Sequence, residues 1–383
     1  MRRLLSSLLR FLRTSATVLT CLCSCIAMLC IVATLFLGAN FADSTNQTQI
    51  SDAAIMDRYD MAITNRISSS LEGILSIEKV FWLRDDDVIA PKPDPAAFGE
   101  AETPAELGWL LEAAAPLLNG QSTLFSETTQ IRKNTKIRYY LDETILAIVW
   151  QEQRGPVIYT LAEIKIAHAS QFRRFFAGNT YGYDKQYHTT KMSADVNAVM
   201  ASSADFYMYR QEGAVVYNGT VERADTKGTV DSCFIDSNGD LILSHHGELT
   251  EVLETQRFVD ENNIRFSISF GPILIEDGVN VAPSRYALGE IRDRYPRAAL
   301  CQSGPLHYYV ITANCLSNNG RFPTLREFSE YVAATGCHTA YTLDGGQTAT
   351  ISMNHQHINP VQYGSQRKIS DIFYFATAIP DGG

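Results

Sequence analysis

The chain has 383 residues, 45% hydrophobic and 19% charged, a balance that excludes a disordered polymer and leaves material for two or three folded domains. Lys and Arg total 32 against 42 Asp and Glu, a formal net charge of −10, which excludes the basic face of a nucleic-acid binder. Eight cysteines suggest a disulfide scaffold, but Cys21, Cys23, Cys25 and Cys30 fall within one short apolar stretch.

Residues 14–38 carry no charged side chain and include Val18, Leu22, Ile26, Leu29, Val32 and Phe36. That run is long enough to cross a ~30 Å hydrocarbon core as a helix. Arg2, Arg3, Arg10 and Arg13 precede it, and Asp43 is the first charge after it. The asymmetry predicts a cytoplasmic stub over 1–13, a single-pass membrane anchor over 14–38 and an extracytoplasmic remainder. The rival is a signal peptide cleaved near Gly38, Ala39 or Ala42, whose apolar core would usually be only ~7–15 residues.

A polar linker over 39–56 leads into 57–150, read as an N-terminal extracytoplasmic region. Met61, Ile63, Ile67, Leu71, Ile74 and Leu75 give residues 57–83 a helical period, and Arg84-Asp85-Asp86-Asp87 ends it. Pro91, Pro93, Pro95 and Pro104 make 90–105 an irregular loop. A helix is predicted over 107–115, with Leu107, Leu110, Leu111 and Ala114 on one face and Pro116 as its stop. Strand patterns begin at 129–150.

The second region, 151–383, alternates strands with a few helices. Strands are predicted at 157–159, 164–167, 199–202, 214–217, 233–235, 241–243, 264–270, 273–275, 298–301, 308–311, 340–343 and 372–375. This order predicts an α+β fold built on a mixed sheet. Strands at 297–302 and 306–312 flank Ser303-Gly304-Pro305, which sets Cys301 opposite His307 and leaves Cys315 too far along for a bond to Cys301 at ~3.3 Å per residue. Buried thiols are the simplest reading of Cys233, Cys301, Cys315 and Cys337, and their pairing stays open. Thr324 and Glu327 form a capping box, Leu325, Phe328 and Val332 share one face, and Gly336 fits the C′ position.

Asp344 follows the 340–343 strand and precedes Gly345 and Gly346. Such a turn holds a carboxylate on a rigid element and lets main-chain N–H groups approach an anion or sugar. Metal spacing is weak elsewhere. His245-His246 and His355-Gln356-His357 lack a third ligand at zinc spacing. Asp236 to Asp240 resembles part of a Ca²⁺ loop, but Leu241 stands at position 6 and Gly247 at position 12, so it reads as a hairpin turn. Neither metal nor cofactor is called for. Tyr181, Tyr183, Lys185, Tyr187 and His188 could form a carbohydrate-stacking loop, with an ordinary surface loop as the default.

Six short segments share an order with one family. Asn197-Ala198-Val199-Met200-Ala201-Ser202-Ser203-Ala204-Asp205-Phe206-Tyr207, Phe270-Gly271-Pro272-Ile273-Leu274-Ile275, Pro296-Arg297-Ala298-Ala299-Leu300, Thr324-Leu325-Arg326-Glu327-Phe328, Leu343-Asp344-Gly345-Gly346-Gln347-Thr348 and Arg367-Lys368-Ile369-Ser370-Asp371 resemble segments of the phosphodiester glycosidases. The resemblance runs over roughly 155–376 and includes bacterial members associated with exopolysaccharide. It implies hydrolysis of a sugar-1-phosphodiester in envelope or exported glycans, so the expected partners are a carbohydrate or sugar-phosphate substrate and, through the N-terminal helix, a membrane.

On that basis Asp344 is the carboxylate that activates water or stabilises the sugar cation, Asp205 its partner and Arg297 a planar clamp for phosphate. His307 would donate to the leaving oxygen. Ser203, Gly271, Gly345, Gly346, Gln347 and Thr348 are assigned to substrate binding. Three departures favour an alternative, a catalytically weakened relative that binds glycans or scaffolds envelope enzymes. Ser203 replaces the family's Asn, Gln347 its third turn glycine, and Ala313-Asn314-Cys315 its D-G-R.

Overall fold

The computed structural model describes residues 88–124, 137–286, 293–315 and 321–380, all within one compact unit, Ser51–Gly383. The expected stub, anchor, linker and 57–83 helix lie outside the described residues. Among the described residues no helix is long and apolar enough to cross a membrane.

The chain folds as α+β. Its largest sheet has nine strands among the described residues. In spatial order they are Phe98–Ala101, Ile137–Leu141, Ile145–Arg154, Val157–Ile166, His307–Cys315, Arg297–Gly304, Thr339–Leu343, Ile273–Glu276 and Val279–Asn280. A second sheet orders Leu241–Ser244, Ser232–Asp236, Ile264–Ile268, Val215–Tyr217 and Thr220–Arg223. A third orders Gln356–His357, Ile351–Met353, Met200–Ser203, Asp371–Phe375 and Phe172–Phe176. Where a mixed sheet was expected, the strand pairs at the centre of the large sheet are antiparallel, and so are those of the two smaller sheets.

The pleat explains the layering. On the Arg297–Gly304 strand, Ala299 and Cys301 face one core with Leu161 and Ile311. That core is covered by the helices Pro104–Leu118 and Leu325–Ala333 through Leu107, Leu110, Phe328 and Val332. Ala298 and Leu300 face the opposite core, where Phe172, Phe266, Phe373 and Phe375 of the two smaller sheets pack. The helix Val252–Glu261 covers the outer side of the second sheet through Val259 on Phe234, and Thr189–Asp195 covers the third through Met192 on Ile372.

Several sequence expectations change. The 150/151 boundary falls inside the strand Ile145–Arg154, which pairs along its length with Val157–Ile166. The proline-rich 90–105 loop contains the strand Phe98–Ala101. Pro116 does not stop its helix, which runs to Leu118, because the bond it forfeits belongs to the exposed side at Glu112. The capping boxes at Thr103 and Thr324 are both formed. Gly336, expected at C′, takes φ 74° at C″, two residues after the Ala334 cap.

The central hairpin turns at Pro305 and Leu306, so Gly304 faces His307 and Cys301 faces Tyr309. Cys315 lies six residues beyond Tyr309 on its strand, which keeps it out of bonding reach of Cys301. Cys233, Cys301, Cys315 and Cys337 are free, buried thiols. Asp236 accepts the N–H groups of Asn238 and Asp240, both at 2.8 Å, and shapes the hairpin between Ser232–Asp236 and Leu241–Ser244.

One ionic cluster links the two smaller sheets. Arg174 donates Nε to Asp371 Oδ2 at 2.8 Å, Nη2 to Asp205 Oδ2 at 3.4 Å and Nη1 to the carbonyl of Ser267. All three charged side chains have zero exposure. Removing the cation would leave two buried carboxylates without a counter-charge. Arg174→Met is therefore expected to lower stability by about 3–5 kcal/mol in urea unfolding. Thr324→Ala, which loses only a cap, should cost about 1 kcal/mol. Equal, small losses would deny the cluster its role.

Candidate active site

Asp344 leaves the Thr339–Leu343 strand where the neighbouring strand begins. Ala298 pairs with Leu343, so Arg297 stands opposite Asp344 in the register. The turn presses against the Pro296 carbonyl, which accepts the Gly346 N–H at 3.1 Å. A Cβ on Gly345 would sit 2.4 Å from that oxygen, so only glycine fits there.

The turn's own amides are largely spent. Gly345 N–H supports the Asp344 carboxylate, Gly346 N–H serves Pro296 and Thr348 N–H returns to Gly345 at 3.2 Å. They hold the carboxylate in place and leave little for an anion. Ser203 donates to the Thr348 carbonyl, tying the turn to the third sheet. Gln347 donates Nε2 to the Ser365 carbonyl at 3.1 Å.

Asp344 is 7% exposed and accepts Arg367 Nη2 at 2.9 Å. Burial pushes its carboxyl up to about 6, against the opposing pull of Arg367, the Thr348 hydroxyl, the Gly345 amide and Arg210. Arg367 in turn lies over the rings of Phe206 at 5.4 Å and Tyr209 at 5.7 Å. Those rings stack on each other with centroids 5.0 Å apart. The turn of residues 205–210 thus supplies the floor beneath the cation that holds Asp344.

The other sequence-predicted residues divide. Asp205 belongs to the interior cluster: beside Arg174 it accepts Ser269 N–H at 2.9 Å and Phe206 N–H at 2.6 Å. With zero side-chain exposure it fixes the turn from the interior, where it was expected beside Asp344 as a partner carboxylate. Arg297 is buried, with Nη2 on the Asp293 carbonyl at 2.7 Å.

His307 is at the wrong end of the hairpin. Arg297 pairs with Ala313, six residues from His307, or ~20 Å along the strand. His307 instead bonds Glu163 at 2.7 Å in the core, so proton donation at Asp344 is outside its reach. Gly271, with φ 74°, packs against Tyr286, whose hydroxyl a Cβ would strike. His245 pairs with Glu276 at 3.2 Å and His246 with Asp231 at 2.7 Å. Among the described residues no group of three or more His, Cys, Asp or Glu side chains is placed to share a metal ion. Tyr181 and Tyr183 join hydroxyls at 2.9 Å and gather around Tyr207, with Tyr183 exposed.

Sequence reasoning missed Arg367 and Arg210 as site residues. Arg367 was visible as the first letter of a matching segment. Arg210 had no signal: it follows the run Phe206-Tyr207-Met208-Tyr209, just beyond the matching segment that ends at Tyr207.

The structure is similar to the catalytic domain of zebrafish N-acetylglucosamine-1-phosphodiester alpha-N-acetylglucosaminidase, auto-inhibited by its pro-peptide, with 13% identity, 61% of this chain and 82% of that chain covered, and a TM-score of 0.48. A hypothetical protein from Synechocystis is similar at 12% identity, 62% and 64% coverage and a TM-score of 0.43. No curated protein matches the chain in sequence. The family model described as phosphodiester glycosidase matches residues 191–376, a span that contains Asp344, Arg367 and Arg210. Residues 191–376 therefore form a domain of the phosphodiester glycosidase family.

Proposed function

We propose that the chain hydrolyses a sugar-1-phosphodiester, with Asp344 as the reacting carboxylate. The observation that carries this reading is a buried carboxylate at a strand end, held by the partly exposed Arg367 and poised near pH 6. Water adds to the anomeric carbon and gives a proton to Asp344. The bond from that carbon to oxygen breaks, and its electron pair leaves on the phosphate monoester. A phosphate monoester is a good leaving group, so the chemistry needs less of the acid that most glycosidases supply as a second carboxylate. That suits a site in which Asp205 is locked in the interior. Arg297 adds positive charge at the same strand end. Residues 14–38 serve as a single-pass anchor that keeps the domain outside the cytoplasm, facing envelope or exported glycans.

Incubation of the chain with an α-sugar-1-phosphodiester is expected to release free sugar and a phosphate monoester. Asp344→Asn should reduce turnover by about 10²–10⁴-fold, the span of a general base. Equal turnover would remove Asp344 from the mechanism. Binding of the diester without any turnover would favour the glycan-binding alternative.

The pH dependence follows from the sign of the Asp344 shift. A base must be ionised, so the rate should fall as pH drops through about 6 and level off above it. Arg367→Met removes a charge that favours the ionised form, and should move this acid limb to higher pH. An unmoved limb in initial-rate profiles would separate Arg367 from Asp344.

A further inference from the structure

Tyr209 is an exposed ring that is held in place. It is 55% exposed, in a turn closed on the Phe206 carbonyl by the N–H groups of Tyr209 at 3.1 Å and Arg210 at 3.3 Å. One face of the ring stacks on Phe206, with 27° between the two planes. Its hydroxyl accepts Nε2 of Gln186. The start of the turn is set by Asp205, which Arg174 and the Ser269 amide hold in the interior. A ring fixed in this way cannot fold back onto the protein, so its apolar surface stays in water.

The position of Arg367 tells which face is open. Its guanidinium carbon lies 5.4 Å from the centre of Phe206 and 5.7 Å from that of Tyr209, and the two ring centres are 5.0 Å apart. Three nearly equal sides put the cation beside the seam of the stack, which leaves the outer face of Tyr209 to solvent. The same guanidinium bonds Asp344 at 2.9 Å, so one planar group separates the ring from the reacting carboxylate. Tyr183, also exposed, reaches Gln211 at 3.5 Å from the neighbouring loop and brings a second ring to this flank.

We propose that the outer face of Tyr209 is the sugar platform of this site, on which the pyranose of the diester stacks with its anomeric carbon toward Asp344. The assignment rests on the sugar-1-phosphodiester reading and names how that substrate is held. A pyranose presents a face of C–H bonds whose partial positive charge matches the negative face of an aromatic ring, while its hydroxyls stay at the rim. Laying one rigid ring on another orders few rotatable bonds, so little entropy is lost. Arg367, partly exposed, borders that rim with N–H donors.

The test uses the full chain with the methyl α-pyranosides of glucose, galactose, mannose and N-acetylglucosamine as probes, read by saturation-transfer NMR and calorimetry. Binding of at least one is expected, with transfer strongest to the C–H protons of one sugar face. Tyr209→Phe should bind it about as tightly as the wild type, because the ring face and not the hydroxyl makes the contact. Tyr209→Ala should bind it about 10-fold more weakly and raise KM for the diester by the same factor, with the acid limb and the unfolding midpoint unmoved. Should Tyr209→Ala disturb the turn, Tyr209→Leu keeps apolar bulk without a ring face and is expected to weaken binding likewise. A ring that served only as floor for Arg367 would instead shift the acid limb and leave pyranoside affinity alone. That result, or no binding of any probe, overturns the proposal. Tyr209-dependent pyranoside binding without diester hydrolysis would leave the platform standing and overturn the enzyme reading. Hydrolysis with a KM indifferent to Tyr209 would do the reverse.

Discussion

Arg174 holds two carboxylates in a place where water does not reach. Three charges buried together are costly to assemble, and their mutual attraction repays this only when the remaining donors and acceptors are also satisfied. Here they are: Ser267 takes Nη1, and Ser269 and Phe206 amides complete Asp205. Burial and the neighbouring Asp205 push Asp371 toward protonation while Arg174 pulls it back. The cluster joins a strand of one small sheet to two strands of the other. It also sets the start of the 205–210 turn, so the site depends on it for position rather than for chemistry.

From that anchor the site is built by opposition. Burial alone would leave Asp344 a poor base at neutral pH, because a carboxylate without water resists ionising. Two arginines and the turn's own donors oppose this, and the carboxyl settles near 6. Neither arginine comes from the element that carries Asp344. Arg367 approaches from the segment before the Asp371–Phe375 strand, and Arg210 from the turn after Met200–Ser203. The large sheet supplies the carboxylate and the third sheet's flanks supply the charge around it.

Much of the fold was legible in the sequence for physical reasons. The continuous apolar runs at 298–301 and 308–311 marked strands buried on both faces, and Thr324 with Glu327 marked a helix start. The missed strand Phe172–Phe176 reads Phe-Arg-Arg-Phe-Phe, where two adjacent arginines break the alternation. Both arginines are buried, and nothing local to the sequence says that partners for Arg174 arrive from residues 205 and 371. The hairpin register shifted because the turn uses Pro305 and Leu306, the latter at φ 57°, a backbone state that a sequence reading assigns to glycine. At the site, Asp344 was legible because its strand and glycines are contiguous. Its true neighbours were not, since they converge only in three dimensions. Asp205 looked reactive for the same reason: a carboxylate beside an aromatic segment gives no hint of whether it faces solvent or a buried cation.

The ionic cluster also bears on where this domain ends. Arg174 precedes residue 191, where the family match begins, and so does the Val157–Ile166 strand that pairs with His307–Cys315. A fragment cut at the edge of the match would keep Asp205 and Asp371 and discard the charge that lets them be buried. The span over which the family is recognised is thus shorter than the span that can fold, and the unit of inheritance and the unit of stability part company between residues 145 and 191.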